Sequence, residues 1–215
     1  MRAAALAALL VVSALGCGSN APDVPPELLA PGSGCSATDY PDQGIGSEEG
    51  DVVKNVCFTG YRAPQRVVAI PEHRETIAFS DYYDPAGTKG VSLLLINTSA
   101  IWCSACVSEH HTLPDYQTEL GEQGLIILST LFQDASRNPA SLEDLERWIA
   151  KFGTNFPMVT DPELELATYA SPASAPLNML VDPRSMKILR KYVGDQGTVM
   201  WPYIEAALER RAALP

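Results

Sequence analysis

The sequence predicts an α/β protein: a mixed central β-sheet flanked by helices on both faces, with a β extension ahead of it. Three observations lead there. Residues 91–98 (VSLLLINT) and 125–132 (LIILSTLF) are near-continuous apolar runs, the pattern of strands buried on both faces of a sheet. The stretch between them, 103–120, places Cys106, Leu113, Tyr116 and Leu120 on one side of a helix, which makes a β-α-β unit. Residues 177–181 and 187–193 flank Asp182-Pro183-Arg184-Ser185, a turn sequence, and read as a hairpin.

The remaining elements follow in order. Residues 52–61 alternate weakly and read as a strand. Residues 67–70 and 76–79 are expected to form a second extended pair, with Pro71-Glu72 at its turn. Residues 80–83 make a short helical turn that Asp84-Pro85-Ala86-Gly87 breaks. Pro114 lies inside the 103–120 segment and is expected to kink a continuous helix. Ser141, with Asp144 three residues on, is a helix start, and Leu142, Leu145, Trp148, Ile149 and Phe152 recur behind it at helical spacing. Trp148 is therefore assigned to the core. Residues 156–160 read as a short strand, and 199–212 as a last helix with Ile204 and Leu208 inward. Arg210 and Arg211 stand near its C-terminus, where the dipole favours cations.

The ends set the compartment. Arg2 precedes an uncharged apolar stretch, residues 3–15, that is too short to span a bilayer and has the anatomy of an export signal. Ser13-Ala14-Leu15-Gly16-Cys17 resembles a lipobox, with Cys17 as the lipid-modified residue. Ala14 stands where such motifs usually carry Leu, and Ala14-x-Gly16 also suits an ordinary signal peptidase. The organisation expected is a signal over 1–17, a tether over 18–44 whose first part (18–34) is rich in Pro and Gly, and one domain over 45–215. A formal net charge of −11 argues against nucleic acid as a partner.

The chain has 5 cysteines. Cys103 and Cys106, in Trp102-Cys103-Ser104-Ala105-Cys106, follow a strand and open a helix. Two thiols at that spacing can close a disulfide where the chain curls into a first helical turn, and the helix dipole favours the reactive thiolate there. Cys35 and Cys57 remain after Cys17 is set aside. In an exported chain a structural bridge between them is the default, worth ~3 kcal/mol for a loop of about 22 residues; a second redox centre is the alternative.

At this point the chain, over about residues 45–210, resembles the thioredoxin-fold, membrane-tethered TlpA/ResA-like thiol–disulfide oxidoreductases. Residues 95–106 (LINTSAIWCSAC) are similar to the family's apolar strand, Asn and Trp-Cys-x-x-Cys. Glu109 stands where the ResA-like branch keeps a glutamate. Residues 174–182 (SAPLNMLVD) resemble its cis-proline segment, and residues 76–82 (TIAFSDY) the strand and turn ahead of the core in TlpA-like and AhpC/TSA-like members. Ser104-Ala105 departs from the proline often found between the cysteines. His111 stands where a kinking proline is common.

The resemblance implies a thioredoxin-like fold and a catalytic set of Cys103, Cys106, Trp102, Glu109 and Pro176. Cys103 is expected to be the nucleophile with its sulfur facing solvent, and Cys106 to resolve the mixed disulfide. Pro176 is expected to follow a cis bond and to offer its edge to an extended client; a trans turn proline is the other reading. Glu109 either relays a proton from Cys106 or is an exposed helix residue. Asn97 occupies the place of a buried acid in thioredoxin itself and is expected only to hydrogen-bond. His110 and His111 read as a solvated helix face, with His110 able to tune the dithiol.

The function expected is exchange of the Cys103–Cys106 disulfide with protein substrates, as a reductase, at the extracytoplasmic side of a membrane. A lipid anchor and a membrane electron donor are expected, and no cofactor. Two rivals share the fold. A thiol peroxidase would need Pro and Thr or Ser where Ile96 and Ala100 stand. A copper or zinc module would need more ligands: zinc takes four, and no histidine follows His111. No metal is expected.

Overall fold

The two apolar runs form the centre of the computed structural model, which describes residues 34–64 and 69–213. Its strands are β1 (Cys57–Tyr61), β2 (Glu75–Ala78), β3 (Leu93–Ala100), β4 (Leu125–Gln133), β5 (Met158–Thr160), β6 (Leu177–Asp182) and β7 (Lys187–Val193). Its α-helices are α1 (Ser104–His110), α2 (Leu113–Gly121), α3 (Leu142–Phe152) and α4 (Gly197–Ala212). The described strands form a seven-stranded sheet in the order β2-β1-β5-β4-β3-β6-β7. β3 pairs in parallel with β4, and β4 with β5; the other pairings are antiparallel.

Side-chain alternation along β3 sorts the core. Leu93 and Leu95, with Leu125 and Ile127 of β4, pack under Leu113 and Leu120 of α2 and Met200, Trp201, Ile204 and Leu208 of α4. Leu131 and Met158 continue that layer toward Leu145, Trp148, Ile149 and Phe152 of α3. Leu94 and Ile96 look the other way. They meet Val52, Val53 and Val56 and the 3₁₀ turns at Phe79–Tyr82 and Glu165–Thr168. Both faces are thus covered, one by α-helices and one by short turns with the N-terminal extension. A strand covered on both sides turns no face to solvent, which is why all of Leu93–Ala100 is buried.

Two expectations need correction. The 103–120 segment is not one kinked helix: α1 ends at His110 and α2 begins at Leu113. The Pro114 ring would clash with the carbonyl of His110 four residues back, so the chain breaks there and uses proline in the first turn of a new helix, where its missing N–H costs nothing. The strand at 76–79 appears as β2, but its partner is β1, with Cys57 opposite Ala78 and Gly60 opposite Glu75. Residues 69–70 are not strand, 67–68 lie outside the described residues, and Pro71–His73 is a 3₁₀ turn.

The helix start at Ser141 forms in full. Ser141 Oγ accepts the Asp144 N–H, the Asp144 carboxylate accepts the Ser141 N–H, and Gly153 closes the helix in the left-handed region. Within the stretch assigned to the tether, Cys35 is bonded to Cys57 and the Tyr40 hydroxyl donates to the Val53 carbonyl, so its last residues lie against the domain. Cys17 and the signal lie outside the described residues. Among the described residues no helix is long and apolar enough to cross a membrane.

Candidate functional site

The site is built where β3 turns into α1. The Cys103 N–H donates to the Ala100 carbonyl, and Cys103 then occupies the N-cap of α1 with extended backbone angles. Its sulfur accepts the Cys106 N–H at 3.1 Å, which places it at the positive end of the helix. Cys103 and Cys106 are bonded to each other. The expectation of a solvent-facing Cys103 sulfur is corrected: Cys103 is only 4% exposed and Cys106 fully buried. Trp102, Ala105, Phe132, Leu164 and Ala175 pack around the pair. The dithiol is therefore packed in rather than laid on an open surface.

One wall around the pair is the segment before β6. The Ala175–Pro176 bond is cis, and the Ala175 carbonyl oxygen lies 3.5 Å from Cys103 Sγ. Leu177 N–H donates to Thr98 Oγ1, which ties the segment to β3. Trp102 is another wall. Its Nε1–H donates to Gln133 Oε1 at 2.9 Å, its ring stands edge-on to Phe132, and the Arg137 guanidinium lies 3.9 Å above its centroid.

Beneath the dithiol lies a polar floor. Glu109 follows Cys106 by three residues and so shares its helix face. Its two carboxyl oxygens accept Asn97 Nδ2–H at 2.7 Å and Asn178 Nδ2–H at 2.6 Å. Asn97 and Asn178 are directly opposite on β3 and β6, and Asn97 Nδ2 also donates to Asn178 Oδ1 at 2.9 Å. Burial pushes the Glu109 carboxyl up to about 7; the two amide donors oppose that rise and Asp195 adds to it. The exposed-helix reading of Glu109 is thereby corrected. Asn97 hydrogen-bonds, as its chemistry dictates.

His110 is also corrected. It is fully buried, with Trp148, Phe152 and Phe156 ringing it at centroid distances of 5.1, 5.6 and 6.2 Å. Burial drives its pKa down to about 3, so the ring is neutral at ordinary pH and its charge cannot tune the dithiol. Of the two, His111 is the exposed one. Among the described residues no group of three or more His, Cys, Asp and Glu is placed to hold a metal ion.

The fold thus packs Trp102 and Ala175, the residue before Pro176, against Cys103 and Cys106, places Glu109 one turn along α1, and holds the Cys35–Cys57 bond at the start of β1. Sequence reading missed Asn178, Ser129, Gln133 and Arg137. Asn178 did leave a signal: it is a polar residue inside the apolar strand LNMLVD, as Asn97 is inside LLLINTSA.

No protein-family model matches the chain. Over 108 residues it is 30% identical to the thiol:disulfide interchange protein DsbE of Pseudomonas fluorescens biotype C, covering 50% of this chain and 54% of that protein. Over 113 residues it is 26% identical to DsbE of Haemophilus influenzae, again covering 50% and 54%. The chain spans about half the length of these curated relatives. Among solved structures, an uncharacterized conserved protein from Geobacillus kaustophilus superposes with a TM-score of 0.59 at 17% identity, over 77% of this chain and 84% of that one. A thiol:disulfide interchange protein from Bacteroides sp. gives 0.54 at 17% identity, over 77% and 93%. The thioredoxin domain of a thiol-disulfide oxidoreductase from Bacteroides vulgatus gives 0.53 at 16%, over 75% and 98%. These likenesses show a thioredoxin-like fold.

Proposed function

We propose that this chain, a thioredoxin-fold relative of the thiol:disulfide interchange proteins, exchanges disulfides with exported proteins and works as a reductase held at a membrane. The observation that carries the reading is a vicinal pair of cysteines at a helix N-cap, with a largely buried carboxyl one turn below and a backbone carbonyl 3.5 Å from the outer sulfur.

In the reduced protein, the Cys103 thiolate attacks one sulfur of a client disulfide. A mixed disulfide forms, and the client's other sulfur leaves as a thiolate that takes a proton from solvent. Cys106 then gives its proton to the Glu109 carboxylate and attacks Cys103 Sγ. The Cys103–Cys106 disulfide closes, and the client's second sulfur departs as a thiolate that takes a proton from solvent. Two electrons pass to the client. A membrane dithiol donor is needed to return them. A carboxyl that titrates near neutrality suits the second step, since it can accept the Cys106 proton and release it to solvent at the same pH. Pro176 and Trp102 are assigned to the walls that orient the client chain.

We assign residues 1–17 to an export signal with Cys17 as the lipid-bearing residue, 18–44 to a tether whose end the Cys35–Cys57 bond fastens, and 45–215 to the catalytic domain. The Cys35–Cys57 bond is given a structural role.

The test is direct. Cys103→Ser should abolish reduction of an insulin disulfide, and Cys106→Ser should accumulate a mixed disulfide with a test client on a denaturing gel. Undiminished turnover by Cys103→Ser would end the proposal. Equilibration against glutathione fixes the direction: a potential near roughly −270 mV supports a reductase, and one near roughly −120 mV an oxidant.

A further inference from the structure

His110 touches no client, and burial keeps it neutral, yet it closes a hydrogen-bonded chain that ends on Glu109. The chain is short of hydrogens in a way that fixes its direction. His110 Nδ1 lies 3.1 Å from the Cys106 carbonyl oxygen. A carbonyl only accepts, so Nδ1 carries the ring's hydrogen and Nε2 is bare. Ser129 Oγ is 3.2 Å from that bare nitrogen and 2.7 Å from Asn97 Oδ1. Asn97 turns its oxygen toward the hydroxyls because its Nδ2 is committed to the Glu109 and Asn178 oxygens. Ser129 therefore has one hydrogen and two acceptors. Ser99 Oγ, 3.0 Å from Asn97 Oδ1, supplies that oxygen's other donor and also lies 3.4 Å from His110 Nδ1.

We propose that His110 is a positioning residue for Glu109: its bare Nε2 competes with Asn97 Oδ1 for the single Ser129 hydrogen and so sets how firmly Asn97 holds the Glu109 carboxylate. When Ser129 points at the ring, Asn97 Oδ1 keeps only the Ser99 hydrogen. Its Nδ2–H is then less polarised, the carboxylate is held less tightly, and the proton stays on Glu109 to higher pH. When Ser129 points at Asn97, the chain polarises toward Glu109 and favours the carboxylate. The inference rests on the proposed role of Glu109 as the proton acceptor of the dithiol.

Other groups face the two ends. Asp195, ahead of α4, acts on Glu109, and Cys103 and Cys106 lie above it on α1. His111 adjoins His110, and Lys151 of α3 lies 5.8 and 4.8 Å from the Trp148 and Phe152 ring centroids. None of these bridges Ser129 to Asn97.

Two measurements test the proposal. In the wild-type protein, ¹⁵N NMR of the His110 ring should show the Nδ1–H tautomer with an unprotonated Nε2; an Nε2–H ring overturns it. In His110→Leu, the Ser129 hydrogen is free for Asn97. The Glu109 side-chain carboxyl, followed by ¹³C NMR and assigned by its absence from Glu109→Gln, should then titrate about 0.5 pH unit lower, a roughly threefold loss of proton affinity. A midpoint that stays put or rises overturns it. The tautomer is read without any client, so its failure is separable from a failure of disulfide exchange.

Discussion

Asp81 and Glu109 are both carboxylates taken out of water, and the fold treats them in opposite ways. Asp81 sits in the turn behind β2 with its side chain 2% exposed. Arg62 Nη2 meets it at 2.7 Å, and the Ala78 N–H donates to the same oxygen. Arg62 is 2% exposed too, and its Nε meets Glu75 at 3.1 Å. Around Asp81, charge is cancelled by charge. Glu109 sits under the dithiol with two neutral amides for partners and, among the described residues, no cation bonded to it. Amides stabilise a carboxylate less than a guanidinium does, so desolvation wins and the proton affinity rises toward neutrality. Asp81 is given a cation, and Glu109, to which we assign the Cys106 proton, has amides in its place.

The largest expected effect comes from removing the cation where it is present. Arg62→Met should destabilise the oxidised protein by about 3–5 kcal/mol, because a buried carboxylate is left without its counter-charge. Arg62→Met with Asp81→Asn should recover much of that loss, since the uncompensated charge goes as well. Urea unfolding at neutral pH measures both. If the single variant unfolds at the wild-type midpoint, charge pairing is not what holds Asp81.

The second effect has the opposite sign. Between about pH 4.5 and 7 the folded protein keeps a proton on Glu109 that the unfolded chain has already released. Stability from this group is therefore fully present below about 4.5, falls as pH rises through the window, and is level above about 7. Glu109→Gln removes that slope and should make the protein more stable above pH 7, by up to about 3 kcal/mol for a shift of this size. The same variant should release clients from the Cys103 mixed disulfide more slowly at neutral pH. Denaturant midpoints at pH 5 and 8, paired with single-turnover rates, test the trade. Equal midpoint changes at both pH values would mean that Glu109 does not titrate between them.

How much of this contrast the sequence reveals depends on how local the cause is. The strands declare themselves through apolar runs, α3 through its capping box, and the dithiol through a spacing that only a helix start can close. Glu109 is legible as a carboxyl near Cys106, because three residues of helix fix that. Its burial is not, since the amide that clamps it from β6 arrives by strand register from Asn178. His110 was misread for the same reason. Four residues from the buried Cys106, it shares the inward face, but the aromatic cage that keeps it neutral comes from α3 and Phe156. The helix break before Pro114 was legible in principle: the carbonyl that the proline ring would strike belongs to His110.

The smallest effect separates the two members of the acidic pair around Arg62. Glu75 bonds the same guanidinium at 3.1 Å, but its side chain is 34% exposed. Water screens the attraction and hydrates the freed carboxyl when the contact opens, so the pair lies close to the surface case. Glu75 accepts Arg62 N–H on one oxygen and Nε–H on the other, and Glu75→Gln keeps one of these acceptors. It should cost about 0.5–1 kcal/mol, and less as salt is raised. Urea unfolding at low and at molar salt reads this out. A loss as large as that of Arg62→Met would mean that the two acids act as one buried unit, and that exposure does not divide charges that brace this fold from those that only decorate it.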